Sequence, residues 1–508
     1  MQSIKEYATI KNDIKVQDIA NKSMNYSRLC ILSLSLMSGF GLPWNFDKGT
    51  ISKWLKPIDN LGIKYTIPDN ITLIRAIYKK SEPRYLNAYN GNQKDFHNFL
   101  WDDSNFEKTI TPHSQAFLIM NEIMLAKYLY NNLDNIDSQN NSSKVINNII
   151  DNKVAAIFLA NSAIIQGEFL SNYLRNSDGL FIVKNDLTEN PYGEPYLQDG
   201  DTPPIVSDQA FVLKAFCYIS QAIDNKSFPI HKGDEISSKF KRYSKQIYEM
   251  FLNSKDEILN CKTRDLTNVL SACIQFYLTE KANREYVLEF ITILALELES
   301  RVDMSGNVAR FSDQPHLTSS SSCFNSIKAL IEAYNTTGIY KFLDCAGIIY
   351  KRLDLLWNPS CSLYSLDNDE KYEYTCRDIG SVLAGLNYIR LFGSEDLKND
   401  SERKMISFFK SAIESSEIIP INMDKLVSNS CEKNKTPSII LYKDVTNPAD
   451  EEHLSPLPKP PVFFKKFTYK PKKSKYSING KSFYSDYGLF TSYELINVIT
   501  PDHYKPFL

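Results

Sequence analysis

The 508-residue sequence lacks the closely spaced cysteines and histidines that bind metals. None of its nine cysteines form a CxxC pair, and no two of its six histidines lie within five residues of one another. Zinc sites in proteins use such short spacings. An odd number of scattered cysteines in a large chain is instead typical of buried thiols in a reducing compartment. The sequence therefore predicts no metal, no cofactor and a cytoplasmic location.

A strong charge imbalance and a long hydrophobic run are also missing. The formal net charge is -2, so we expect no nucleic-acid partner and no membrane partner. The run LCILSLSLM at residues 29–37 is too short to span a bilayer, and we interpret it as a buried helix. An exported protein is the alternative, if translation starts at Met24 and this run is the core of a signal peptide. The oligomeric state stays open.

What the sequence does contain is a repeated helical unit, clearest between residues 326 and 366. One apolar stripe runs from Ile327 to Tyr334 at helical spacing, and Gly338 suits the left-handed residue that ends many helices. A second stripe runs from Leu343 to Trp357 and is stopped by Pro359. The run SLYSL then alternates polar and apolar residues, as a short strand does. The predicted unit is helix, turn, helix, short strand.

The same order recurs, with first helices about every 55 residues from Asp208 onward. Five such hairpins, together with helical segments at residues 15–40 and 489–499, approach the six that close a ring. A closed ring needs no polar capping repeats, and the sequence has none that we recognise. We predict an all-α (α/α)6 toroid of αα-hairpins, with short strands between hairpins and a loop-rich C-terminal extension.

Three segments follow from this pattern. Residues 1–109 are predicted to be a helical and mixed segment that packs on the toroid, and residues 110–417 to be the toroid itself. Residues 418–508 are predicted to be a loop-rich, proline- and lysine-rich extension with a closing helix. In residues 456–475 we favour a belt whose aromatic side chains dock on the toroid over a nucleic-acid site.

The unit LIEAYNTTGIYKFLDCAGIIYKRLDLLWNPSCSLYSL resembles the recurring unit of six-hairpin toroid proteins. These include the N-acylglucosamine 2-epimerase family, several glycoside hydrolase families and the C-terminal region of a family of thioredoxin-like proteins. The resemblance covers roughly residues 110–416 and lies in the helix pattern. The chain has no CxxC site like that of the thioredoxin-like proteins, and no glycosidase paired-carboxylate signature was located. The resemblance implies a saccharide or other small-molecule ligand in a cavity at one end of the ring.

Acidic residues that begin first helices are the first candidates for catalysis. Asp208 and Asp378 occupy matching places in their repeats, and glycoside hydrolysis needs two carboxyl groups. The alternative is that both are first-turn acids favoured by the helix dipole. Their neighbours Gln209 and Arg377 are candidates for binding substrate, Arg377 through a carboxylate or phosphate group.

Two histidines also precede or begin first helices. A histidine titrates near neutral pH and suits the proton abstraction and return that an epimerase requires. We take His316 as a catalytic candidate and His113 as a substrate-binding one, the alternative being a histidine bonded to a loop carbonyl. Trp101 and two tyrosines of the acidic loop 185–204, Tyr192 and Tyr196, are candidate stacking platforms for sugar rings.

The sequence thus favours a carbohydrate-active toroid that is hydrolase-like or epimerase-like and uses carboxylate or histidine acid–base chemistry. A non-catalytic scaffold or binding protein with the same fold is the alternative. An α/α-barrel cyclase or prenyl-type enzyme is a third reading, weakened because the chain has neither a DxDD motif nor a zinc set of cysteines and histidines.

Overall fold

The computed structural model describes residues 2–60, 71–86, 100–131, 143–312, 316–365, 371–421 and 460–497. Its helices are α1 Gln2–Leu36, α2 Lys48–Asp59, α3 Pro112–Asn131, α4 Ser143–Tyr173, α5 Val206–Asp224, α6 Gly233–Asn253, α7 Lys255–Leu259, α8 Thr263–Thr279, α9 Arg284–Ser300, α10 Ser320–Thr337, α11 Tyr340–Asp354, α12 Cys376–Phe392, α13 Glu395–Phe409 and α14 Ser485–Asn497. Its strands are β1 Gly41–Pro43, β2 Ile74–Ile77, β3 Lys80–Ser81, β4 Thr109–Ile110, β5 Lys184–Asp186, β6 Leu197–Asp199, β7 Trp357–Asn358, β8 Leu363–Tyr364, β9 Tyr372–Thr375, β10 Lys466–Lys470, β11 Lys475–Asn479 and β12 Phe483–Tyr484.

The inner helices form a closed ring. Each packs against the next in the order α3, α5, α8, α10, α12, α14, and α14 packs back against α3. Outside them lie the partners α4, α6, α9, α11, α13 and α1, one behind each inner helix. The predicted (α/α)6 toroid is therefore confirmed. Its sixth pair joins the last described helix of the chain to the first, and the proposed division at residues 109 and 417 stays a prediction.

The unit that suggested the repeat has the predicted form. Gly338 ends α10 with a left-handed backbone, φ +73°, and its N–H donates to the carbonyl of Tyr334. The predicted short strand is β8, which pairs with β7. Trp357 lies in β7 and not in the second helix of the unit, because α11 already ends at Asp354. The period of the apolar residues continued past the true end of the helix.

The N-terminal apolar run is a buried part of α1, as predicted. Cys30, Ile31 and Leu34 are fully buried, and α1 packs against α14, α3 and α13. Among the described residues, one stretch, Asn152–Tyr173 of α4, has the length and apolar composition of a membrane span. Its most apolar window is 83% buried inside the protein, under α3, α2 and β2.

The strands lie between helices in small antiparallel sheets. There are two three-stranded sheets among the described residues, β4–β5–β6 and β9–β10–β11. Strands β5 and β6 of the first sheet are connected by the turn of the acidic loop. β9 leads directly into α12, and β12 leads directly into α14. In the predicted belt, Phe463, Phe464 and Phe467 are buried, whereas Lys472 and Lys473 are exposed. These three phenylalanine side chains therefore pack into the core of the protein, whereas residues 456–459 of the predicted belt lie outside the described residues.

The helix ring requires a close approach at Gly385, which gives a test of the packing. A Cβ atom on Gly385 of α12 would lie 2.7 Å from the ring of Phe324 and 3.0 Å from its carbonyl oxygen on α10. At Gly347 of α11 the nearest atom would be at 3.5 Å, an ordinary contact. We predict that Gly385→Ala lowers the free energy of unfolding by about 1–3 kcal/mol through overpacking. Gly347→Ala, the matched control, should raise it by up to about 1 kcal/mol.

Urea unfolding followed by circular dichroism measures both changes. Equal effects of the two substitutions would contradict the packing of α10 on α12.

A buried carboxyl group joins α3 to α4. Glu122 accepts hydrogen bonds from Ser162 and Gln166, and burial raises its pKa to about 8 despite those bonds. This pKa lies above that of an unfolded glutamate. The contribution of protonated Glu122 to the stability of the folded protein is therefore complete below about pH 4.5, and it is lost as the pH rises through about 8.

We predict that Glu122→Gln, which stays uncharged, gains thermal stability relative to the unsubstituted protein as the pH rises from 5 to 9. Melting temperatures across that range measure the gain. The control is Glu257→Gln at an exposed position, whose melting temperature should differ from that of the unsubstituted protein by the same amount at every pH. The same constant difference for Glu122→Gln would contradict a buried neutral acid.

Candidate functional site

The first turns of the six inner helices meet at one end of the ring, in what we call the polar rim. Its members are His113 of α3, Ser207 and Asp208 of α5, Arg264 and Asp265 of α8, Ser321 of α10, Arg377 and Asp378 of α12, and Asp486 of α14. All the inner helices run in the same direction, because each repeat begins on the inside. Their unpaired N–H groups and positive dipole ends therefore face the same side of the molecule.

An imidazole between two carboxylates is the centre of the rim. Nδ1 of His113 lies 2.8 Å from Oδ1 of Asp208, and its Nε2 lies 3.6 Å from Oδ2 of Asp486. One fifth of the His113 side-chain surface is exposed, whereas Asp208 is almost fully buried. The three residues come from three helices, so the ring itself sets their geometry.

The two carboxylates keep His113 protonated near neutral pH. Burial lowers the pKa of His113, but the charges and hydrogen bonds of Asp208 and Asp486 outweigh burial and raise it to about 9. For Asp486, burial raises the pKa, but its bond to His113 and the charge of Arg377 prevail and lower it. The Nη1 atom of Arg377 lies 3.9 Å from Oδ2 of Asp486. The group is thus a partly exposed network of alternating charges.

Asp208 and Asp378, the predicted carboxylate pair, have different surroundings. Asp378 forms a capping box with Thr375 at the start of α12, and it also accepts a hydrogen bond of 2.6 Å from Ser321. At the start of α5 the N-cap is Ile205, whose side chain has no hydrogen-bonding group and cannot form a capping box. The carboxylate of Asp208 turns to His113 instead. No described contact joins the two aspartates.

Aromatic rings lie one turn below the rim on one side of the ring. Phe117 contacts Phe211 at 4.6 Å and Phe490 at 5.5 Å between ring centroids. The guanidinium of Arg377 lies 5.0 Å above the ring of Phe490. On the opposite side, at the same depth, the polar residues Asn268 and Asn325 line the axis.

A buried layer of charged residues lies deeper on the axis. Nζ of Lys328 is 2.6 and 2.8 Å from the carboxylate oxygens of Glu494. Glu332 accepts hydrogen bonds from Ser271 and Tyr388, each 2.8 Å long. Burial raises the pKa of Glu332, but Lys214 and Lys328 outweigh burial and lower it. The charges in this layer are therefore balanced by one another.

The cavity between the aromatic side chains and this charged layer is small. Its volume is about 40 Å³, and its lining includes Phe211, Asn325, Lys328 and Glu494. A buried water needs roughly 10–15 Å³ of such volume, and sites for organic ligands are roughly 300–1,000 Å³. The cavity therefore has room for a few waters and not for a sugar ring.

The other predicted site residues lie in varied places. His316 is exposed in the loop before α10, where its carbonyl oxygen accepts a hydrogen bond from the N–H of Arg310. Gln209 is buried, with its amide bonded to both backbone groups of Phe181. Trp101 is 2% exposed and stacks on Phe40. These side chains lie outside the contacts of the His113 group, and their predicted roles stay predictions.

The two tyrosines of the acidic loop do reach solvent. Tyr192 is 61% exposed and Tyr196 is 67% exposed, at the end of the β5–β6 hairpin. Arg75 fixes this loop by donating hydrogen bonds to the carbonyl oxygens of Pro191 and Gly193. The loop thus presents two aromatic rings from an ordered turn.

Sequence reasoning missed Asp486. It stands in the run FYSDYGLF, where an acidic residue precedes an apolar helical stripe, as it does at Asp208. The apolar spacing predicts the closing helix at residues 489–499, which begins after Asp486. Among the described residues, no group of three histidine, cysteine, aspartate or glutamate side chains has the geometry of a metal site.

No protein-family model and no curated protein matches the sequence. Several solved structures are similar in shape at low identity. A D-mannose isomerase is 10% identical, with a TM-score of 0.48 over 89% of this chain and 98% of that one. Cellobiose 2-epimerase from Bacillus thermoamylovorans is 11% identical, with a TM-score of 0.47 over 89% of this chain and 100% of that one. A GH76 α-mannanase from Bacteroides thetaiotaomicron is 10% identical, with a TM-score of 0.43 over 78% and 90% of the two chains. Similarity at this level carries no conclusion about activity.

Proposed function

We propose that the protein is carbohydrate-active and that its polar rim binds a saccharide, with His113 transferring a proton at the bound sugar. The observation that carries the proposal is the imidazole of His113 held between Asp208 and Asp486 at the end of the ring where the helix N-termini meet. Acid–base catalysts need a titratable group that is fixed in position and reached by solvent or substrate. His113 meets both requirements.

The surroundings of His113 fit the hydroxyl groups of a sugar. Carboxylate oxygens of Asp208 and Asp486 accept hydrogen bonds, and the guanidinium of Arg377 donates them. Phe211 and Phe490 lie directly below the network but are buried, so a sugar at the rim contacts the polar groups and not these rings. The network therefore supplies the hydrogen-bond donors and acceptors that the hydroxyl groups of a saccharide require.

The protonation state of His113 decides which chemistry the rim favours. With a pKa of about 9, the imidazole is charged at neutral pH and is a proton donor in the resting protein. A donor suits the departure of a leaving group in hydrolysis, or the return of a proton in epimerisation. Either reaction also needs a complementary base; Asp208, almost fully buried and bonded to Nδ1 of His113, orients the imidazole instead.

A binding protein without catalysis is the second candidate, and the small cavity favours it. A volume of about 40 Å³ on the axis leaves a sugar no buried position and confines it to the exposed rim. Enzymes usually surround their substrates more completely. A rim that binds a saccharide without turning it over would retain the same contacts.

We predict that Asp208→Asn and Asp486→Asn each lower the pKa of His113 from about 9 toward 6.5. A neutral amide no longer stabilises the imidazolium, and burial then favours the uncharged ring. Ring-proton chemical shifts, followed by NMR between pH 5 and 10 and assigned with His113→Gln, measure the change. Asp265→Asn, a rim substitution without contact to His113, should leave the pKa near 9. An unchanged pKa in Asp208→Asn would contradict the described geometry.

The function is tested with a panel of neutral and acidic mono- and oligosaccharides. Thermal shift detects binding, release of reducing ends detects hydrolysis, and deuterium incorporation at C-2 in D₂O detects epimerisation. We predict that His113→Gln slows the reaction at least about 100-fold, the usual contribution of a general acid or base. The exposed His231→Gln is the control and should retain the full rate.

The outcomes separate the two candidates. Binding by the unsubstituted protein without either reaction supports the binding protein and removes the catalytic proposal. If no saccharide shifts the melting temperature, and none reacts, both candidates are wrong.

A further inference from the structure

The hairpin β10–β11 carries a concentrated positive charge at its tip. The sequence from Lys470 to Lys475 is KPKKSK, and all four lysines are exposed. None of the four has a carboxylate partner among the described residues, whereas Lys466, at the other end of β10, pairs with Glu373 at 2.7 Å. With a net charge of -2 for the whole chain, this tip is a local feature and not part of a generally basic surface.

The hairpin holds two of these lysines directly opposite each other. Lys470 and Lys475 are cross-strand partners in the β10–β11 ladder. Like charges at such positions destabilise a hairpin. Because no described carboxylate relieves this repulsion, the tip is arranged to present charge at a cost in stability. A bound anion would relieve the repulsion.

The tip is held rigidly relative to the rim. β10 is hydrogen-bonded on both sides, to β9 and to β11, and the buried ring of Phe467 stacks on Tyr374 of β9 at 5.4 Å. β9 ends at Thr375, the N-cap of α12, opposite Lys466. Lys470 lies four residue steps along β10 from Lys466, so the tip begins about 14 Å along the sheet from the rim. A short oligosaccharide spans that distance.

We propose that the lysine hairpin, defined as Lys470, Lys472, Lys473 and Lys475, is a second subsite that selects anionic saccharides for the polar rim. This inference rests on the proposed function, which supplies the saccharide as ligand. It adds the chemical class of that saccharide, namely chains that carry carboxylate or sulfate groups. Lysine ammonium groups bind such anions as point charges, without strict geometry.

The surroundings of the tip favour a saccharide over other anionic partners. Membrane-surface segments combine lysines with apolar side chains, and the tip offers only lysine, proline and serine between its strands. Binding of single-stranded nucleic acid uses exposed aromatic rings. The nearest rings, Tyr469 and Tyr476, are partly buried and contact each other at 4.6 Å between centroids.

The test compares two multiple variants of the full chain. In the first, all four hairpin lysines are changed to glutamine; in the control, four exposed lysines elsewhere are changed in the same way, namely Lys53, Lys245, Lys281 and Lys351. The probes are tetragalacturonate, a heparin tetrasaccharide and the methyl ester of tetragalacturonate, which has no charge. Affinities are measured by calorimetry at 50 and 300 mM salt.

We expect the unsubstituted protein to bind at least one charged probe more tightly than the methyl ester, and to lose that preference at high salt. The hairpin variant should bind the charged probe about tenfold more weakly, as four exposed ion pairs predict, and the control less than twofold. The methyl ester should bind all three proteins equally. Lys475→Glu should raise the melting temperature slightly, by replacing repulsion with attraction, and still weaken binding of the charged probe.

Other results would overturn the proposal. If the rim binds saccharides but prefers neither charged probe, the hairpin is not a selecting subsite and the proposed function stands. Failure of every saccharide to bind or react would remove the proposed function as well. Lysine-dependent binding of a single-stranded DNA 12-mer or of phosphatidylserine vesicles, without binding of either charged saccharide, would assign the hairpin to another class of partner.

Discussion

Closure of the ring depends on α14. This helix packs against α12 on one side and α3 on the other, with α1 behind it. Its Phe490 contacts Phe117 of α3, and its Glu494 pairs with Lys328 of α10 across the axis. Without α14, both α3 and α12 would expose apolar faces at the open ends of the ring, which costs free energy in proportion to the area exposed. The two ends of the described chain therefore complete the same core.

Ring closure also creates an electrostatic problem at the rim. Six inner helices that run in parallel bring six positive dipole ends together, each worth about half an elementary charge. Aspartates in the first turns of α5, α8, α12 and α14 compensate these ends. Once several carboxylates are present, a cation placed among them is stabilised as well, and His113 and Arg377 occupy such positions. The raised pKa of His113 is thus a consequence of the topology, and not only of one hydrogen bond.

The fold could be predicted from the sequence because its determinants are local and repeated. Apolar helical spacing recurs in each unit, and a glycine follows the first helix in two of them, at Gly338 and Gly393, so a weak signal in one unit is supported by the others. The failures occur where local pattern and tertiary structure differ. Trp357 continues the apolar spacing of α11 but belongs to a strand, and the spacing predicts the closing helix from residue 489, whereas α14 begins at Ser485 and includes Asp486.

The candidate site was less predictable because it is built across helices. One local signal does separate the two aspartates that were paired in the sequence analysis. Asp378 follows Thr375 by three residues, the spacing of a capping box, whereas the equivalent position before Asp208 is Ile205. An isoleucine cannot use the carboxylate, so Asp208 is free to contact another helix. Which helix it contacts depends on ring order, and no sequence pattern within α5 contains that information.

The filling of the axis determines where any ligand must bind. Three phenylalanine rings fill one side of the axis, namely Phe117, Phe211 and Phe490. Below them lie two lysines and two glutamates of opposite charge, and the cavity that remains has a volume of about 40 Å³. Opening it would expose the buried charges of Lys328 and Glu494 or separate them, and breaking a buried pair is costly. A ligand is therefore better accommodated by elements outside the ring than by enlargement of the axis. The acidic loop and the β9–β10–β11 sheet are the elements that add surface beside the inner helices, and the specificity of a shallow site has to come from such additions.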